Sequence, residues 1–292
     1  MMARMTVTTS LTSPFSLRDR IESYYATVPL HFSRAEDFGA LRLFVRTGPG
    51  APYYGGPNHA QPAARALASA EEIRAVRARQ RELGVPEAFE WLAEVVPGMR
   101  EAVEEAQLPV AERPLLVLPD DCSLPEPVLP PGVTLRVVGA DDPALAAVLA
   151  LPALAFAAAG TALGSAGREE LAVVAGRIEA DGTVDTVRPS LRAGHKVLVA
   201  AFAPDGTPLA AGHYHPAAGA TEIGGVGTLP TARRQGLGAA VTVGLAAHAR
   251  EHGVRAVFLA YADEAVARIY ARLGFRAADT TLLIANQPAR GQ

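Results

Sequence analysis

Cysteine is almost missing from this chain. Cys122 stands alone among 292 residues, so no intrachain disulfide and no cysteine-cluster metal site can form. Lysine is as scarce: Lys196 is the single one, and the other 26 of the 27 basic residues are arginine. Net charge is −3, so the chain lacks the positive excess that a dedicated nucleic-acid binder sets against phosphate. Aromatic residues make up only 6%, with one tryptophan, and no basic–aromatic surface pattern appears. The first 15 residues carry one arginine and no apolar stretch, so no secretory leader is read there and a cytoplasmic location is expected.

What is present is enough apolar material for a core. Hydrophobic residues make up 49% and charged residues 20%, which excludes a fully disordered chain. At about 100–200 residues per domain, the length suggests two domains or one large one. Residues 143–164 form an uncharged run long enough to cross a bilayer. It is rich in alanine and glycine, Pro152 interrupts it, and no arginine follows before Arg168, so interfacial anchoring is poor. A pair of buried helices lining a cavity is the expectation, with no membrane association. The clearest boundary is residues 119–132, whose five prolines bar a helix or central strand and read as a semi-rigid linker. It separates a segment of residues 1–118 from one of residues 133–292.

The second segment reads as α/β with a mixed sheet. Strands are predicted at 133–138, 195–203, 209–215 and 221–229, with a Pro-Asp-Gly-Thr turn at 204–207. Helices are predicted at 168–180 and, from Leu237, Val241, Leu245 and His248, up to Gly253. A buried strand follows at 254–261. Asp263 then caps a helix with Val266, Ile269, Tyr270 and Leu273 on its apolar face, ended by Gly274. A last strand is predicted at 280–285. The order helix, strand, helix, strand also runs through residues 81–118, at an offset of roughly 167–169 residues, which points to internal duplication.

The sharpest local signal is TLPTARRQGLGA at 228–239. A strand runs into a glycine-containing turn that opens a helix, leaving backbone N–H groups unpaired at the positive end of the helix dipole. Gly236 and Gly238 offer no side chain against a ligand, and Arg233 and Arg234 add charge nearby. The turn lacks the ending of a Walker loop and the third glycine of a dinucleotide fingerprint. An anion cradle and an ordinary packed connection both fit this pattern.

These residues resemble the acyl-CoA motif of the GCN5-related N-acetyltransferases, Arg/Gln-x-x-Gly-x-Gly/Ala, through Arg233, Gly236 and Gly238, with Pro230 three residues earlier. AVARIYARLGF at 265–275 is similar to the family's second signature. The resemblance covers residues 133–286 and implies a GNAT fold there. Residues 1–118 resemble a degenerate second copy, since the loop at 58–69 lacks Gly-x-Gly, as in tandem actinobacterial members.

The resemblance implies N–H groups of Gln235, Gly236, Leu237, Gly238 and Ala239 on the CoA pyrophosphate, and Val226 to Thr228 beside the pantetheine arm. It implies Glu222 as general base for a small-molecule amine and Tyr270 as the acid for the leaving thiolate. Asp263 stands where many members carry asparagine, and helix capping alone also accounts for it. Acetyl-CoA is the expected co-substrate, with no metal and no nucleic-acid partner, in a monomer or homodimer. A non-catalytic acyl-CoA sensor and a transferase using a carrier-protein thioester are the alternatives. His213 and His215 share one strand face as further candidate bases or substrate ligands, or as packing residues. Tyr24, Tyr25, Tyr53 and Tyr54 are candidates to close over the acceptor from the first segment. Phe89 and Trp91 read as core, and Arg74, Arg77 and Arg81 as a solvated helix face.

Overall fold

The computed structural model describes residues 16–48, 60–62, 65–158 and 160–287. The first segment opens with helix α1 (Leu17–Thr27), where Ser16 and Asp19 form a reciprocal capping box. A 3-10 turn (Val28–His31) leads into strands β1 (Ser33–Phe38), β2 (Leu41–Arg46) and the short β3 (Ala60–Pro62). Then come α2 (Ala70–Glu82), boxed by Ser69 and Glu72, β4 (Glu87–Leu92), α3 (Met99–Glu105) and β5 (Val110–Leu118). Phe89 and Trp91 are buried as expected. The arginine face of α2 is not all solvated: Arg77 and Arg81 both pair with the buried Glu87, and Arg77 also donates to the Ala106 carbonyl.

The second segment starts with β6 (Thr134–Val138) and α4 (Leu145–Ala157). This corrects the expected helix pair: the apolar run forms one helix, with Pro152 inside it, and then a loop. Among the described residues no helix is long and apolar enough to cross a membrane. Helix α5 (Arg168–Ala180) falls where predicted; α6 (Thr183–Arg192) was hidden by its internal Pro189. Strands β7 (Val197–Phe202), β8 (Pro208–Tyr214) and β9 (Ala220–Thr228) follow as a meander. Helix α7 (Leu237–Glu251), β10 (Ala256–Ala260), α8 (Glu264–Arg272) and β11 (Arg276–Gln287) complete the chain, the last twice its predicted length.

All eleven strands join one sheet, in the order β1-β2-β3-β4-β11-β5-β10-β9-β8-β7-β6. The order cuts across the division at residue 118. Strand β11 lies antiparallel between β4 and β5, and β5 lies antiparallel beside β10. Each segment therefore completes the other's sheet, and hydrogen-bonded ladders tie them together. The repeated order α2-β4-α3-β5 and α7-β10-α8-β11 is visible in the elements themselves.

Three buried clusters fill the molecule: one around α4, α7 and β7–β10, one around β2, β4 and α2, and one between α1, β10 and β11. In the third, Tyr24, Tyr25 and Phe258 meet edge-to-face at 5.2–5.8 Å. The proline-rich stretch has no helix or strand and runs beside α7. Near the end of that helix Arg250 donates to the carbonyls of Cys122 (2.6 Å) and Pro119 (2.5 Å). At its start the Val128 carbonyl lies 3.8 Å from where a Cβ on Gly236 would stand.

Candidate active site

Parallel strands β9 and β10 are paired only at their first residues. Ala256, Val257 and Phe258 match Ala220, Thr221 and Glu222, and the pairing then stops. Strand β9 continues to Thr228 against β8 alone, while β10 keeps its partner β5 to Ala260. A wedge thus opens toward the C-terminal ends of two parallel strands, where α/β proteins place ligands. A β-bulge sharpens the departure: the β8–β9 register shifts between Ala211 and His213, with Gly225 at φ +62°. A side chain at Gly225 would collide with the His213 ring, so glycine is required there.

The turn after β9 borders the mouth of this wedge. Arg234 and Gly236 adopt left-handed backbone (φ +67° and +78°), and Gly236 caps α7 without a side chain. Ala240 N–H donates across the cap to the Gly236 carbonyl, at 3.0 Å. Among the described residues the N–H groups of Gln235, Gly236, Leu237, Gly238 and Ala239 have no protein acceptor. Arg234, Gln235 and Gly236 are exposed, and Gly238 and Ala239 are half-buried. The side chains of Val226 and Thr228 turn toward Gly238; a Cβ there would meet Thr228 Oγ1 at 3.5 Å. The turn is therefore exposed from Arg234 to Gly236, with donors that have no protein acceptor at a helix N-terminus.

Arg233 behaves differently from expectation. Its guanidinium is buried and donates to the carbonyls of Ala155 (2.7 Å), Ala158 (2.8 Å) and Ala162 (3.0 Å). Gly164 N–H donates to Pro230 O, and Thr231 N–H to Ala166 O. The Arg233 side chain thus binds the end of α4 and its loop to the base of the turn, and its charge points away from the open donors. Arg234 is the arginine left on the open side.

Glu222 is buried at the residue where β9 and β10 part. The Tyr25 hydroxyl, from α1 of the first segment, donates to its Oε2 at 3.1 Å. Burial, with the Glu222 charge adding to it, pushes the neighbouring Tyr24 phenol far up, so it stays neutral. Tyr24 and Tyr25 therefore close over Glu222; Tyr53 and Tyr54 lie outside the described residues. Tyr270 sits on α8, packed 6.0 Å from Phe275, with no hydrogen bond to Glu222 among the described residues. Burial pushes its phenol up to about 12. Asp263 caps α8, accepting from Ala265 N–H at 2.7 Å.

Sequence reasoning left out a basic group on the same sheet face as Glu222. Val197, Tyr214 and Ile223 are register partners, with Tyr214 turned to α7, where its hydroxyl contacts His248 at 2.8 Å. The adjacent residues Lys196, His215 and Glu222 thus stand side by side on the opposite face. His215 Nδ1 donates to the His195 carbonyl at 2.9 Å, which leaves Nε2 as the acceptor, and Lys196 Nζ lies 3.4 Å from it. Burial, and then the Lys196 charge, hold the His213 and His215 imidazoles well below their ordinary value. Burial likewise lowers Lys196 to about 8. The only signal in the sequence was the uniqueness of that lysine.

The family model described as FR47-like protein matches residues 201–284, from the end of β7 into β11. A GCN5-related N-acetyltransferase from Kribbella flavida superposes with a TM-score of 0.66 at 23% identity, over 95% of this chain and 96% of that one. The chain has the GNAT fold. A tandem GNAT protein from the clavulanic acid biosynthesis pathway, solved without AcCoA, gives 0.52 at 17% identity over 86% of this chain and 79% of that one. A GNAT-like protein from Streptococcus suis gives 0.53 at 9% identity, over 89% and 92%. No curated protein matches the chain. The matched segment contains both the wedge and the turn after β9.

Proposed function

We propose that this chain is an acyl-CoA-dependent N-acyltransferase that moves an acetyl group from acetyl-CoA to a primary amine by direct attack. The observation that carries the reading is the run of donors from Gln235 to Ala239, without protein acceptors among the described residues, at the mouth of the β9–β10 wedge. Five N–H groups at a helix N-terminus suit a pyrophosphate in number and sign. Arg234 adds an exposed cation beside them. The edge of β9 from Val226 to Thr228, which lacks a β10 partner, suits an extended pantetheine arm added as a strand. When bound, acetyl-CoA supplies an activated acyl carbonyl and a thiolate leaving group.

Glu222 takes the proton that the attacking amine must lose, directly or through one water. Tyr25 orients that carboxylate by donating to one of its oxygens. Tyr270 remains a neutral phenol across the working pH range, so it donates a hydrogen bond to the departing sulfur more readily than it gives up its proton. The first segment, through α1, covers the acceptor side of the sheet. Its own loop at 58–69 lies partly outside the described residues.

The test is calorimetric titration of the full chain with CoA, followed by an amine panel read by thiol release. Micromolar CoA binding and amine-dependent thiol release support the proposal. Binding without release for any amine leaves an acyl-CoA sensor in its place, and absence of binding removes both.

A further inference from the structure

Lys196, His215 and Glu222 form a row across β7, β8 and β9 that the transfer chemistry does not use as a whole. Adjacent strands lie about 4.8 Å apart, so the backbones of Lys196 and Glu222 stand roughly 10 Å apart on one face. The Lys196 ammonium leans inward, to 3.4 Å from His215 Nε2. On the first-segment side, His31 stacks on His195 at 4.1 Å and Phe32 packs edge-on against His215 at 5.4 Å. His31 Nδ1 is buried and has no hydrogen-bond partner among the described residues. No carboxylate pairs with Lys196 among them either. A cation in a desolvated place without a counter-charge costs stability, and a bound anion offsets that cost.

We propose that the acceptor is an amine that also bears a carboxylate, with the carboxylate received by Lys196 and the amine presented to Glu222. The inference rests on the transferase reading for the role of Glu222, whereas the anion site at Lys196 stands on its own. Charge selects the ligand class. The groups around Lys196 are His213 on β8 and His215 just after it, His195 before β7, His31 from the 3-10 turn, and Glu222 and Tyr25 beyond, while Tyr214, His248 and His252 line a cavity with it on the α7 side. Burial holds the His31, His213 and His215 imidazoles below their ordinary value, so on this face the Lys196 ammonium is the one cation of the row, which matches a monoanion better than a phosphate dianion. Neutral imidazoles add hydrogen-bond capacity without further charge.

The uniqueness of Lys196 makes the test direct. Lysine labelled with carbon-13 at Cε yields one NMR signal from the whole chain, and its pH titration reports this ammonium alone. The probes are the common L-amino acids, β-alanine and 4-aminobutanoate, each compared with its own carboxamide at up to 50 mM, as order-of-magnitude saturating levels for weak sites. At least one acid is expected to shift the titration upward, as carboxylate beside ammonium requires, and its amide is not. In thiol-release assays that acid is expected to exceed its amide in kcat/KM by ~10–100-fold, and Lys196→Met to bring the ratio near one while CoA affinity stays as in the parent. No shift with any acid, or equal shifts with acid and amide, overturns the proposal. So does a Lys196→Met variant that keeps the preference. A lysine signal that responds to acids in a chain that transfers to no amine retains the anion site and refutes the transferase reading instead.

Discussion

Replacing Arg233 with methionine separates a structural arginine from a phosphate ligand. The substitution keeps most of the side-chain volume and removes three charge-assisted bonds to the carbonyls of Ala155, Ala158 and Ala162. Hydrogen bonds to charged groups contribute about 1.5–3 kcal/mol each when taken singly, and bonds from one guanidinium do not add in full. Desolvation already holds the group to a net gain, because Arg233 is only 8% exposed. The expected loss is therefore about 3 kcal/mol, or roughly 150-fold in the folding equilibrium. In a chain of this size that lowers the melting temperature by about 5 °C. Urea unfolding followed by tryptophan fluorescence at Trp91 reads the loss. CoA affinity, measured well below the transition, is expected to fall less than about fivefold, which is the indirect effect of a looser turn. Arg234→Met is the companion: about 0.5 kcal/mol in stability or less, but a ~10-fold loss in CoA affinity. If Arg233→Met left stability within 1 kcal/mol and abolished CoA binding, the guanidinium would be a phosphate ligand and the anchoring argument would be refuted.

Further outcomes follow from the same geometry. Tyr270→Phe is expected to keep CoA affinity and lower kcat by ~10–100-fold, and the parent should show no alkaline limb from this phenol below about pH 11; rapid thiol detection across pH checks both. Tyr25→Phe removes the hydroxyl that donates to Glu222 Oε2, so kcat/KM should fall ~3–10-fold with CoA binding retained, and an unaltered kcat/KM would show that the contact does not orient the base. Burial raises the Glu90 carboxyl from 4.5 to about 8. The unfolded chain loses that proton near pH 4.5 and the folded chain holds it, so Glu90 makes stability fall as pH rises from about 4.5 to 8. Glu90→Gln should remove that slope and stabilise the protein at pH 8 by about 3–4 kcal/mol; urea midpoints of both proteins at pH 5 and pH 8 that run in parallel would exclude it.

Much of the architecture was legible in local chemistry. The Asp263 cap, the alternation of β7 and β8 and the four-residue spacing of α7 are short-range patterns, and each element arose where its pattern lay. The open turn at Gly236 was legible for the same reason, since left-handed backbone selects glycine wherever it falls. Helix α6 was not, because Pro189 reads as a break, whereas in the fold the helix packs against α4 and α5. The length of β11 was also beyond reach. A strand grows as far as its neighbours extend, and those neighbours, β4 and β5, lie more than 150 residues away in sequence.

By itself the sequence determined many of the elements, the proline-rich stretch without helix or strand and the glycine turn after β9, because turns, caps and periodicity act over a few residues. Only the tertiary structure decided how the segments exchange strands, that Arg233 points inward, and that Lys196, His215, Glu222 and Tyr25 share one covered face. Those outcomes depend on strand order and register, and register is a property of pairs of strands that no single stretch of residues contains.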